Sequence, residues 1–121
     1  MTQDFHEKRL SARIKGNFHM TIQEDREEIT VNAIDLSSSG LRFKSLKNIP
    51  LFREISINLQ LPFQSSKKEE FRCNAIVVRN ERSHYQEGYN IALTFVDVED
   101  DDRKILHAFL EQASGNLPQN A

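Results

Sequence analysis

Cysteine is the first shortage: the chain of 121 residues has one, Cys73. A lone cysteine closes no internal disulfide and excludes zinc sites built from several thiolates. The chain is long enough to bury a core without such cross-links. Cys73 falls within a strand-like run, so a buried, inert thiol is expected. Long apolar runs are also missing. None approaches the ~20 residues of a membrane-spanning helix, so no membrane span is expected. The opening Met1-Thr2-Gln3-Asp4-Phe5-His6-Glu7-Lys8 lacks the apolar stretch of a secretory signal, and a cytoplasmic location is the expectation. Excess positive charge is absent: the formal net charge is −2. Non-specific binding to duplex DNA needs a basic field, so DNA is not an expected partner. One small anion held by a local basic cluster remains compatible, and Lys8, Arg9, Arg13 and Lys15 form such a cluster.

The usual marks of catalysis are missing as well. His6, His19, His84 and His107 are scattered without metal-ligand spacing. There is no glycine-rich phosphate loop. Ser37, Ser38 and Ser39 lack the flanking glycines of a nucleophile elbow. Glu99 to Asp102 are consecutive acids that read as a solvated helix start. The expectation is a protein that is not an enzyme and has neither metal nor cofactor.

What is present is a strong period of two. Hydrophobic content of 38% and charged content of 28% suit one globular domain. Phe18, Met20 and Ile22 alternate with polar residues, as do Ile29, Val31 and Ala33. Ile34 and Leu36 then break phase, which predicts a bulge before Asp35. Leu41 and Phe43 mark a short third strand; Ile55, Ile57, Leu59 and Leu61 a fourth, closed by Pro62. Phe71 to Val77 gives a fifth strand ending near Arg79, and Gly88 to Phe95 a sixth. Ile105, Leu106, Phe109, Leu110 and Ala113 then take helical spacing, with Gly115 and Pro118 as stops. The fold class is all-β: a six-stranded antiparallel β-barrel with one C-terminal α-helix. Residues 1–15 are expected to be a flexible N-terminal segment, 16–115 the barrel and helix, and 116–121 a frayed tail.

Two short motifs invite a functional reading. Arg9-Leu10-Ser11-Ala12-Arg13 puts two guanidinium groups on one face, ~6 Å apart at Cβ on a helix or ~13 Å apart in an extended segment. Such a pair arises easily by chance in an arginine-rich chain. Asp35-Leu36-Ser37-Ser38-Ser39-Gly40 is rarer. On its own it has a sound structural reading: an acid and serines cap a turn and glycine completes it.

Taken together, in this order, the motifs give the chain another sense. Arg9-x-x-x-Arg13 before the first strand and Asp35-x-Ser37-x-x-Gly40 after the second resemble the PilZ domain family. Leu41-Arg42-Phe43, the run Ala75 to Arg79 and the terminal helix fit the same layout, over about residues 8 to 113. The resemblance implies a PilZ-like split barrel that binds the bacterial second messenger cyclic di-GMP and signals to a separate protein effector. Carried over by position, Arg9, Arg13, Asp35, Ser37 and Gly40 become ligand-binding candidates, with Lys8 and Arg79 as further possible contacts. Ala92 departs from the family, where many members have glycine. The chemistry suits the ligand. A guanidinium fork matches guanine O6 and N7 as well as phosphate. Gly40 would let backbone approach the ligand closely. The alternative is a PilZ-like interaction adaptor that binds no nucleotide. A small barrel binding single-stranded nucleic acid is a weaker rival, because most phenylalanines fall in core phase.

Overall fold

A computed structural model of the chain describes residues 13–63 and 68–113. Six strands follow in order: β1 (Ile14–Glu24), β2 (Glu27–Leu36), β3 (Gly40–Ser45), β4 (Glu54–Pro62), β5 (Lys68–Arg82) and β6 (Tyr89–Val96). One helix, α1 (Asp100–Ala113), ends the described residues. All pairings are antiparallel, and the strands close into a barrel in the order β1-β2-β3-β6-β5-β4. Closure is made by β1 against β4, with Met20 opposite Leu59 and Ile22 opposite Ile57.

Alternation explains why these segments are strands. Phe18, Met20 and Ile22 of β1, Ile55 to Leu61 at alternate positions of β4, and Phe71 to Val77 of β5 are buried, while their neighbours face outward. Each buried side chain of this size contributes roughly 1.5–3 kcal/mol. Ile49, from the β3–β4 connection, is fully buried and belongs to the same core. At the other end α1 packs Leu106 and Phe109 inward. Phe109 meets Phe18 and Phe63 edge-on, with centroids 5.8 and 5.5 Å apart. The acids at 100–102 open this helix, where its dipole favours negative charge.

Phase breaks account for the boundaries that alternation misplaced. β1 starts at Ile14, before Gly16, because pairing with β2 slips between Lys15 and Phe18 and resumes on both sides. β5 continues past Arg79 to Arg82. A slip between Val77 and Arg79 inserts Val78, which breaks the alternation, yet Arg79 to Arg82 still pair with β6. The slip between Ala33 and Asp35 lies where the sequence predicts a bulge. Residues 1–12, with Lys8 and Arg9, fall outside the described residues, as do 114–121 with the helix stops Gly115 and Pro118.

Candidate ligand-binding site

The β2–β3 turn and the start of β1 lie at the same end of the barrel. Leu36 pairs with Leu41, and both are buried in the core. Asp35, the next residue back, therefore sits on the outer side, opposite Arg42 of β3 and Lys15 of β1. An outward aspartate is normally wet. Asp35 is 1% exposed, because two arginines engage it. Arg13 donates from Nη1 to Oδ1 at 3.1 Å. Arg42 donates from Nε to Oδ2 at 2.6 Å. Both arginine side chains remain about half exposed, at 48% and 50%. Two cations thus share one buried anion, leaving the junction with excess positive charge.

Ser37 builds the turn. Its Oγ donates to the Gly40 carbonyl at 3.2 Å and accepts from the backbone N–H groups of Ser39 and Gly40, each at 3.2 Å. The Ser37 N–H also donates to the Gly40 carbonyl at 2.9 Å. The turn is tied to β6 through the Ser39 carbonyl, which accepts from Phe95 N–H at 2.8 Å and Thr94 Oγ1 at 3.2 Å. Gly40 has a packing reason that the sequence did not disclose. A Cβ there would lie 2.0 Å from the Leu93 carbonyl oxygen, so the space freed by glycine is taken by β6. Gly40 belongs to the scaffold of the turn.

Among the candidates, Arg13, Asp35, Ser37 and Gly40 come together at one end of the barrel. Arg9 and Lys8 lie outside the described residues. Arg79 shares the outer row: Ala92 is in register with Arg42 on one side and Arg79 on the other. With strands ~4.8 Å apart, Arg79 stands roughly 10 Å from Arg42. It is 65% exposed, with Glu81 4.0 Å away. Ala92 therefore lies in the row beside Asp35, closer to the motif than its place in the sequence suggests. Arg42 lies in neither motif, and hairpin arithmetic brings it to Asp35: once Leu36 faces Leu41, Asp35 must face Arg42.

The larger surface clefts lie elsewhere. One of about 790 Å³ is lined by Glu24, Lys47 and Arg53, which pair with one another: Arg53 Nη1 is 2.7 Å and Lys47 Nζ 3.3 Å from the Glu24 carboxylate. That network joins the β1–β2 turn to the β3–β4 connection, and its cations are already matched by acids. Cys73 is buried, and burial, followed by the negative charge of Asp102, pushes its thiol up to about 12. Such a thiol is a poor nucleophile at neutral pH. Among the described residues no group of three His, Cys, Asp or Glu side chains could hold a metal ion. No described helix is long and apolar enough to cross a membrane.

Comparison with known proteins agrees with this architecture. No curated protein sequence is a significant match. Among solved structures, the inhibitor of motility MotI/DgrA from Bacillus subtilis matches with a TM-score of 0.77 at 16% identity, over 90% of this chain and 52% of its own. The chain thus spans about half the length of that relative. The PilZ domain of YcgR from Escherichia coli, solved with c-di-GMP, matches with a TM-score of 0.62 at 14% identity, over 86% of this chain and 89% of its own. The PlzA protein of Borreliella burgdorferi, also solved in complex with c-di-GMP, gives 0.55 at 12% identity, over 97% of this chain and 57% of its own. At these identities the likeness is one of fold. The PilZ domain model itself matches residues 7–112, nearly the whole sequence, and the chain belongs to the PilZ domain family.

Proposed function

We propose that this chain is a receptor for cyclic di-GMP, acts without catalysis, and passes its state to a separate protein effector. One observation carries the reading: the Arg13–Asp35 ion pair joins the two halves of the paired motif at one place on the barrel. Two solved relatives, YcgR and PlzA, hold c-di-GMP. In this reading Arg9 and Arg13 grip phosphate or the guanine O6/N7 edge. Asp35 anchors Arg13, while Ser37 and Gly40 hold the turn beneath the ligand. The segment carrying Lys8 and Arg9 closes over that turn on binding, and Lys8 and Arg79 supply further charge. Ordering a segment has an entropic cost, so the ligand must favour the closed form by differential affinity. The effector reads that form.

Calorimetric titration of the chain with cyclic di-GMP tests the proposal. Saturable binding is expected. Arg9→Ala and Asp35→Ala should each weaken it by ~10-fold or more, since each strips a charge-assisted contact worth ~1.5–3 kcal/mol. Unchanged affinity in both variants rejects the site. No heat at tens of micromolar ligand sinks the receptor reading and leaves an adaptor that works without nucleotide.

A further inference from the structure

We propose that Arg42, which belongs to neither motif, is a third arginine of the ligand site and grips cyclic di-GMP directly with its terminal nitrogens. The inference rests on the receptor reading above. Arg42 Nε donates to Asp35 Oδ2, and Arg13 Nη1 to Oδ1. Each arginine thereby uses one of its five N–H donors on the shared carboxylate. Neither Nη of Arg42 meets an acceptor among the described residues, and half of its side chain is exposed. A flexible surface arginine would have its donors in every direction. Here the buried carboxylate fixes Nε, so the Nη edge is held facing outward at low entropic cost.

Three further features favour a binding role. Arg13 and Arg42 dock on the two oxygens of one carboxylate, so their guanidinium groups stand side by side with excess positive charge. That pair matches a phosphodiester or a guanine edge. On the other flank Arg42 faces Ala92, whose methyl group is too short to cover the guanidinium. Arg42 also sits on a strand of the barrel, so it is positioned before the ligand arrives. Arg42 also partners the buried Asp35 carboxylate, so its loss costs stability too, and the binding role is read from affinity in variants that melt as folded proteins.

The test is calorimetric titration of the full chain and three variants with cyclic di-GMP, with thermal melts to check folding. Arg42→Ala should weaken binding by ~10-fold or more. Arg42→Lys keeps the charge and the reach to Asp35 but lacks the fork, and should recover no more than ~3-fold of that loss. It also guards against a failure of Arg42→Ala to fold. Lys44→Ala removes one charge from the same strand and face and should stay within ~2-fold of wild type, as screening of exposed charge predicts. Wild-type binding with Arg42→Ala unchanged overturns the inference alone. So does full recovery by lysine, or an equal loss in Lys44→Ala, since either reduces Arg42 to background charge. A wild-type chain that binds no cyclic di-GMP overturns the receptor reading and this inference with it.

Discussion

Gly40→Ala gives the sharpest view of what holds the turn in place. The added methyl carbon would sit 2.0 Å from the Leu93 carbonyl oxygen and 3.1 Å from the Leu93 carbonyl carbon. Carbon and oxygen approach no closer than ~3.3 Å even in favourable contacts, so β3 and β6 must part by about 1 Å. The opposing atoms are backbone, with no rotamer to escape into. Parting strains the Gly40–Thr94 rung and the 2.8 Å bond from Phe95 N–H to the Ser39 carbonyl. Overpacking of this kind costs about 1–3 kcal/mol, and a weakened hydrogen bond adds ~0.5–1.5 kcal/mol. The expected loss is ~2–4 kcal/mol, a large share of the ~5–15 kcal/mol typical of a domain. In melting temperature that is a fall of roughly 10 °C or more for a chain of this size. Urea denaturation and scanning calorimetry measure it. Ser39→Ala is the control: its side chain is exposed, and its 3.4 Å contact with Ser37 Oγ is long, so the change should stay within ~0.5 kcal/mol. A Gly40→Ala protein within ~1 kcal/mol of wild type would refute the close approach of β3 and β6, since that approach predicts at least one full overpacking penalty.

Other expectations concern the core, the far end of the barrel and the thiol. Phe109→Ala, at a site 4% exposed, removes the edge contacts to Phe18 and Phe63 and should cost ~3–5 kcal/mol in urea titrations; a loss under ~1 kcal/mol would mean that α1 is not packed on the barrel. Phe52 is 77% exposed at a left-handed φ of 67°. Phe52→Gly relieves ~1–2 kcal/mol of backbone strain against ~0.5–1 kcal/mol of extra chain entropy, so stability should hold or rise slightly, and a clear fall would assign the ring a packing role. Burial holds the Cys73 thiol neutral, so native stability conferred by that protonation is intact below 9.0 and drains away as pH rises toward about 12. At pH ~8, alkylation of native Cys73 should run at least ~100-fold slower than in urea; equal rates would contradict the buried placement.

Much of the fold is written in the alternation. Ile55 to Leu61 can only be a strand with one buried face, and the change of period at Ile105 marks the helix. Where the alternation slips, the sequence falls silent although pairing continues. Ile14 and Arg82 are strand residues that lie beyond bulges, so their neighbours in sequence carry no phase information. The candidate site is legible as far as the motifs reach. Asp35 declared itself as a turn residue, but its burial depends on Arg13 and Arg42, which arrive from other strands. Gly40 was visible as a glycine, yet the reason for it is the Leu93 carbonyl, 53 residues further along a strand whose register no local pattern specifies. Arg42 could have been read from the hairpin count, since it follows from the pairing of Leu36 with Leu41.

In the proposed reading, this end of the barrel receives cyclic di-GMP. Amide chemical-shift mapping of the ¹⁵N-labelled chain during titration with cyclic di-GMP tests it most directly, because it reports binding and location together. Saturable shifts are expected at Arg13, from Asp35 to Arg42, and at Ala92, with Leu46, Phe52 and Tyr85 at the opposite end of the barrel unmoved. A spectrum unchanged at saturating nucleotide, or shifts confined to that opposite end, would contradict it.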